Sequence, residues 1–500
     1  MTEIVLGPPG TGKTTSLLQI IDEELTRGTP PDRIGYVSYT KRAAEEGVTR
    51  ACEKFNLQRS DFPWFRTLHS LAFRRLGLSR SEVLEGNRMQ EFADYARVRI
   101  TGRWSDDGTL LGFDVGDRII FMENLARIRG ITLRELYDED DDRLPWNEVE
   151  RVSRALQVFK SSRGYLDYTD MLTEFLHQEA PPPLEVLLVD EAQDLSHLQW
   201  QVVEMLSRGT RRVVIAGDDD QAIYRWAGAD VDHLIDLRGD VRVLGQSWRC
   251  PPAIQGLSES IITGVAKRRP KNWSARSGSR GEVGFAATLD TVDLSGPDVL
   301  ILARNEYVLR EQFEPELRRR GMLFERRGVP SISPKMLRRI QNWERWRQGA
   351  PLLVEEAREV LEDISAGIGV KRGSKKLPGR EDGVQVTMRQ LLKEGVLLRE
   401  DPWFEALDRL PQDDVAYMRI VLANKQRLGQ KPTVRLSTIH GAKGGEAEHV
   451  VLSREIAQRT WREMERLPDD ERRVWYVGVT RARERLTVLD STTPRAAPWL

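Results

Sequence analysis

The run EIVLGPPGTGKTTSLLQII, residues 3–21, leaves a chain few choices. A short apolar stretch breaks at a glycine- and proline-rich turn and gives way to a segment whose apolar residues recur at helical spacing. Within it, Gly7, Pro8, Pro9, Gly10, Thr11, Gly12, Lys13 and Thr14 follow the pattern G-x-x-x-x-G-K-T, and Thr15 continues it. In a strand-loop-helix unit of this kind the backbone N–H groups and the helix N-terminus converge on one spot and cradle phosphates. Lys13 is then placed to neutralise the β and γ oxygens, and the Thr14 hydroxyl to ligate Mg²⁺.

A second apolar strand, LEVLLVDEAQD at residues 184–194, ends in carboxylates. Asp190 at its carboxyl end is placed to hold a metal, directly or through water, and Glu191 to orient and deprotonate an attacking water. Two such acids downstream of a phosphate loop point to hydrolysis rather than binding alone. A third segment, GDDDQAIYRWAGAD at residues 217–230, packs four acids, a glutamine and two aromatics behind another apolar strand. A buried strand emptying into a turn accounts for its glycine but not for the rest.

Composition sets the outer bounds. Five hundred residues, 40% of them apolar and 31% charged, predict several soluble domains. No apolar run reaches the ~20 residues of a membrane span, and the chain enters its first strand almost at once, which predicts a cytosolic protein without a leader. Two cysteines, Cys52 and Cys250, make neither a disulfide framework nor a zinc site. With 76 basic against 77 acidic residues, any nucleic-acid binding must use local patches. Two candidates for contact with a polyanion are AKRRPKNWSARSGSR at 266–280 and KMLRRIQNWERWR at 335–347, although most such runs are solvated faces.

Further motifs follow in order: SYTKRAAEE at 38–46, RTLHSL at 66–71, LDYTDML at 166–172, QSWRC at 246–250, STIHGAKGGEAEHVVL at 437–452 and WYVGVTRARERL at 475–486. Together with the three segments above they resemble the superfamily 1 helicases of the UvrD/Rep/PcrA group, over residues 7–486. The resemblance implies an α/β fold of two RecA-like P-loop NTPase lobes, parallel sheets with helices on both faces, each interrupted by a mainly helical insertion. Motif spacing puts the first lobe at 1–80 and 165–245 with its insertion at 81–164, and the second at 246–348 and 431–500 with a reduced insertion at 349–430. ATP and Mg²⁺ are the implied cofactors. Single-stranded and forked DNA are the implied partners, with no membrane; nuclease, replication or repair proteins are further candidates. The implied activity is ATP-dependent 3′–5′ translocation and unwinding in the cytoplasm of a bacterium, the gene being bacterial or that of a phage.

By the same resemblance, Gln221 senses the γ-phosphate, and Arg249 and Arg481 are arginine fingers that complete hydrolysis beside Lys13, Asp190 and Glu191. Trp248 stands where the group has an adenine-stacking tyrosine, and Glu446 is a ribose or γ-phosphate contact. Tyr39, Thr40, Thr67, His69, Tyr224, Trp226, Arg304, Thr438 and His440 correspond to DNA contacts, Trp226 being a base-stacking platform. The acids upstream of Trp226 are expected to face nucleotide and metal. Several positions depart from the group: Lys41 replaces an asparagine, Ala227 an arginine, and residues 444–447 read Gly-Gly-Glu-Ala. The group's upstream glutamine motif, which reads adenine, has no counterpart before the first strand. Two rival readings remain: a translocase with little unwinding that strips proteins or serves a separate nuclease, and a nucleotide-gated switch.

Overall fold

The structure is a computed structural model and describes residues 2–38, 41–101, 114–139, 143–178 and 181–500. The chain forms two compact units, the first comprising Met1–Gly281, Arg462–Thr480 and Trp499, the second Glu282–Trp461, Arg481–Pro498 and Leu500. The division falls after Gly281, where motif spacing placed it after Gly245. Residues 246–281 join the first unit because Ser247 and Trp248 hydrogen-bond the phosphate loop, and the helix Pro252–Ile262 packs against the helix Pro468–Val479.

The first unit is built on six parallel strands: β1 (Thr2–Leu6), β2 (Ile34–Ser38), β3 (Phe65–Thr67), β4 (Val186–Asp190), β5 (Arg212–Gly217) and β6 (Asp240–Val243). They lie in the order β3-β2-β4-β5-β1-β6. Successive side chains of a strand point to opposite faces. Val5, Tyr36, Leu188 and Val214 therefore pack with Leu17, Ile20 and Ile21 of the helix Lys13–Thr26. Val37, Leu187, Val189, Val213 and Ile215 pack on the other face with Trp200, Val203 and Leu206 of the helix His197–Ser207. Coverage on both faces is what lets the inner strands β2, β4 and β5 be buried along nearly their whole length. The register sets Ser38 beside both Thr67 and Asp190, and Leu6 beside Gly217. All these strand ends open on one edge, where parallel α/β sheets bind ligands.

The helical insertion carries its own core, including Phe92, Ile119, Ile120, Val152, Leu156 and Phe159. It is tied to the sheet domain through the LDYTDML segment, for which the sequence suggested no role. Asp167 caps the helix Tyr168–Leu176 by accepting from the Asp170 N–H. Arg127 and Lys160 of two insertion helices meet Asp167 at 2.7 and 2.6 Å. Burial opposes ionisation of Asp167, but the two cations hold its carboxyl well below the usual range.

The second unit contains β7 (Glu282–Ala286), β8 (Val299–Ala303), β9 (Phe324–Arg326), β10 (Val329–Pro330), a small antiparallel pair β11 (Leu352–Leu353) and β12 (Gln385–Val386), then β13 (Val434–Thr438), β14 (Ala447–Ser453) and β15 (Ala482–Leu489). Seven of them form a sheet in the order β10-β9-β13-β8-β14-β15-β7, parallel except for β10. One core runs from this sheet into the second insertion, joining Val299 and Ile301 to Val354, Leu361, Leu391 and Val421. The basic run at 335–347 belongs to it. It forms most of the helix Pro334–Arg347, whose Trp343 and Trp346 are completely buried and donate their indole N–H groups to the Asp401 and Val386 carbonyls. Arg338, Arg339 and Arg347 pair with Glu359, Asp363 and Glu344. These tryptophans hold a core and are not a platform for a polyanion.

Candidate nucleotide and nucleic-acid site

The turn after β1 works because two glycines accept backbone conformations that side chains resist: φ is 71° at Gly10 and 82° at Gly12. At Gly7 the reason is space, since a Cβ there would lie 2.0 Å from Lys13 Cγ. Lys13 folds back across Gly7, its Nζ donating to the Gly7 carbonyl at 3.0 Å and standing 3.9 Å from Glu191 Oε1. Thr14 and Thr15 occupy the first turn of the helix beside it.

Residues 247–249 are laid along this loop. Ser247 Oγ donates to the Pro9 carbonyl at 2.7 Å, and the Trp248 N–H to the Gly10 carbonyl at 2.8 Å. Arg249 presses so closely on Gly10 that a Cβ on the glycine would come within 2.3 Å of Arg249 Cβ. Trp248 is 69% exposed, an unusual state for a tryptophan.

At the end of β4, Asp190 is buried and accepts from the Tyr36 hydroxyl at 2.5 Å and the Glu191 N–H at 2.9 Å. Burial, then the neighbouring charge of Glu191, push its carboxyl up to about 6. No cation lies within ion-pair distance of it among the described residues. Across the strand pair, the buried Ser38 hydroxyl has no hydrogen-bond partner among the described residues. A hard divalent cation bound through one or two carboxylates, a hydroxyl and phosphate oxygens suits this donor set. Glu191 sits in the left-handed region at φ 53°, a conformation that costs ~1–3 kcal/mol and accumulates at working sites.

Gln193, to which the sequence reading assigned nothing, connects two motifs. Its amide donates to Glu191 Oε2, and its Oε1 accepts the Asp218 N–H at 2.9 Å. Asp218 Oδ2 in turn accepts from Gln221 Nε2 at 2.6 Å. A hydrogen-bonded route thus runs from Glu191 to Gln221; an amide able to donate and accept at once was the available signal.

The acids of residues 218–220 do not face outward for a ligand. They are buried and held by cations of the chain itself: Lys271 Nζ lies 2.5 Å from Asp219, 3.0 Å from Asp220 and 3.3 Å from Asp218. Arg268 forks onto both oxygens of Asp220 at 2.8 and 2.5 Å. Lys271 and Arg268 come from the basic run 266–280, so two of its cations offset most of this loop's negative charge.

Trp226 follows in the same loop, 46% exposed and stacked on Phe121 of the insertion with centroids 6.4 Å apart; Tyr224 is half-buried. Thr67 is buried and caps the helix Leu68–Arg75 by accepting the Ser70 N–H, while His69 meets Tyr168 edge-on at 5.7 Å. Tyr39 and Thr40 lie outside the described residues. In the second unit, Thr438 pairs with Ala303 in parallel register, so Thr438, His440 and Arg304 leave one edge of the sheet. Glu446 and Arg481 precede β14 and β15, whose starts lie at the opposite edge. Glu446 is 3.5 Å from Arg483, and the buried Arg481 donates to the Gly445 carbonyl at 3.1 Å.

Residues 2–242 match the UvrD/REP helicase N-terminal domain, and residues 411–492 the UvrD-like helicase C-terminal domain. The chain belongs to the UvrD/Rep/PcrA-type superfamily 1 helicases, and its two sheets are RecA-like P-loop lobes. It is 25% identical over 306 residues to the ATP-dependent DNA helicase PcrA of Staphylococcus epidermidis, covering 55% of this chain and 40% of that protein. It is likewise 25% identical over 317 residues to DNA helicase II of Haemophilus influenzae, covering 58% and 42%. A shorter match, 31% over 127 residues, is to the RecBCD enzyme subunit RecB of Mycolicibacterium smegmatis, covering 23% and 12%. The matches to the two helicases span about two-fifths of their length. No helix among the described residues is long and apolar enough to cross a membrane.

Proposed function

We propose that this chain is an ATP-dependent DNA helicase that moves 3′ to 5′ on single-stranded DNA and separates duplex. The observation that supports the reading is the route Glu191–Gln193–Asp218–Gln221, which runs from the acid this reading assigns to water activation into the loop that presents Trp226. In this reading Lys13 and the phosphate loop hold ATP, Trp248 covers the adenine, and Glu191 takes the proton of the attacking water. Thr14 and Asp190 are the residues that hold Mg²⁺, which supplies neutralisation of phosphate charge when bound. Gln221 senses the γ-phosphate, Arg249 and Arg481 stabilise charge developing on it, and Trp226 stacks on a base.

Steady-state ATP turnover with and without single-stranded DNA tests the coupling, and forks with a 3′ or a 5′ single-stranded tail test polarity. DNA-stimulated turnover with unwinding from the 3′ tail is the expected result. Unwinding from the 5′ tail overturns the polarity, streptavidin displacement without fork opening favours a translocase, and absence of stimulation overturns the reading.

A further inference from the structure

Lys271 is set apart by its surroundings. Its side chain is 1% exposed, and it touches three consecutive carboxylates, all of them buried. Burial by itself lowers a lysine's pKa, but here the charges of Asp218, Asp220 and Asp219 outweigh it and leave the ammonium more firmly protonated than usual. Arg268 adds one more cation, so two positive charges face three negative ones. Asp219 is held at two further points: the Arg269 N–H donates to its Oδ2 at 2.9 Å, and Arg473 Nε to its backbone carbonyl at 3.0 Å. Repulsion among three adjacent carboxylates in a low-dielectric setting is severe without such a centre.

We propose that Lys271 is a positioning residue for ATP hydrolysis: by drawing the three carboxylates together it fixes Asp218, which orients the Gln221 amide. The geometry gives the order of action. Asp218 Oδ1 is the oxygen that faces Lys271, at 3.3 Å, and it also accepts the Asp220 N–H at 3.2 Å. The other oxygen, Oδ2, accepts from Gln221 at 2.6 Å. Lys271 thus holds one oxygen of the carboxylate whose second oxygen holds the glutamine. This inference rests on the proposed function only in taking Gln221 as a nucleotide-sensing group.

A double-mutant cycle in basal ATP turnover, measured without DNA, tests it. The proteins are wild type, Lys271→Met, Gln221→Ala and the combination. If Lys271 acts through Gln221, Lys271→Met lowers kcat about tenfold with little change in KM, and costs under about twofold more once Gln221 is already alanine. Because removing Lys271 strands buried carboxylates, the cycle is repeated in an Asp219→Asn background, which lowers the charge left behind, with melting temperature followed in every variant. Folded variants whose effects simply multiply overturn the inference. So does a loss of turnover that is fully restored along with melting temperature by Asp219→Asn, since that is a purely structural role. Wild-type protein that fails to hydrolyse ATP sinks the functional reading, a different outcome from a multiplicative cycle.

Discussion

Asp190 and the run Asp218–Asp220 are all buried carboxylates, and the fold treats the single acid and the run in opposite ways. Asp218, Asp219 and Asp220 are buried with Lys271 and Arg268 set among them. Asp190 is equally buried, yet among the described residues no cation pairs with it directly: it accepts from the Tyr36 hydroxyl and the Glu191 N–H, Lys13 acts on it only from a distance, and burial with the charge of Glu191 pushes its carboxyl up to about 6. A buried acid that carries its own counter-charge is part of the scaffold, whereas one without a paired cation is where the proposed function puts Mg²⁺. The sequence reading places both the acid-rich loop and the acid at the strand end beside nucleotide and metal; the contrast in counter-charge favours Asp190 for that role.

The largest expected effect breaks the Asp190 side of this contrast. Asp190→Asn should abolish ATP turnover, on the order of 10³-fold or more, while raising the melting temperature. The sign follows from the raised pKa: the protonated carboxyl suits the folded state, so its stabilisation is fully present below about pH 4 and is lost as pH rises through about 6. The amide variant should therefore exceed wild type by on the order of 2–3 kcal/mol above pH 6 in metal-free buffer, with the gain vanishing near pH 4. Equal melting curves across that range would show that Asp190 is compensated after all.

Asp219→Asn should move stability the other way. Removing one partner from a buried ion cluster typically costs ~3–5 kcal/mol, though Lys271 keeps Asp218 and Asp220, which reduces the expected loss to about half of that. A melting temperature higher than wild type would place Asp219 in the same class as Asp190 and erase the distinction.

How much of this was legible follows from the range over which each signal acts. The phosphate loop, the helix after it and the strand ending at Asp190 were readable because turn chemistry and apolar periodicity operate within about a dozen residues. The exposure of Trp226 was readable too, from its polar, glycine-bounded loop. The partnership of Asp219 with Lys271 spans 52 residues, and a run of like charges in sequence says nothing about whether its counter-charges are solvent, ligand or another loop. The run at 335–347 offered a better clue: Trp343 and Trp346 stand three apart on one helix face, which is the spacing of core residues. The division after Gly281 was beyond reach, since it depends on hydrogen bonds from Ser247 and Trp248 to carbonyls more than two hundred residues away.

The coupling of ATP turnover to single-stranded DNA through Trp226 is the central claim, and one preparation each of wild type and Trp226→Ala tests it. ATP turnover is titrated with single-stranded DNA beside a melting curve and a binding isotherm. The wild-type rate should rise with DNA. The variant should keep its basal rate and melting temperature, lose stimulation, and bind DNA ~1–3 kcal/mol more weakly whatever the base sequence. A variant that melts lower and loses basal and stimulated turnover together, as truncation of a core tryptophan would do, contradicts the claim, and so does one that is stimulated as fully as wild type.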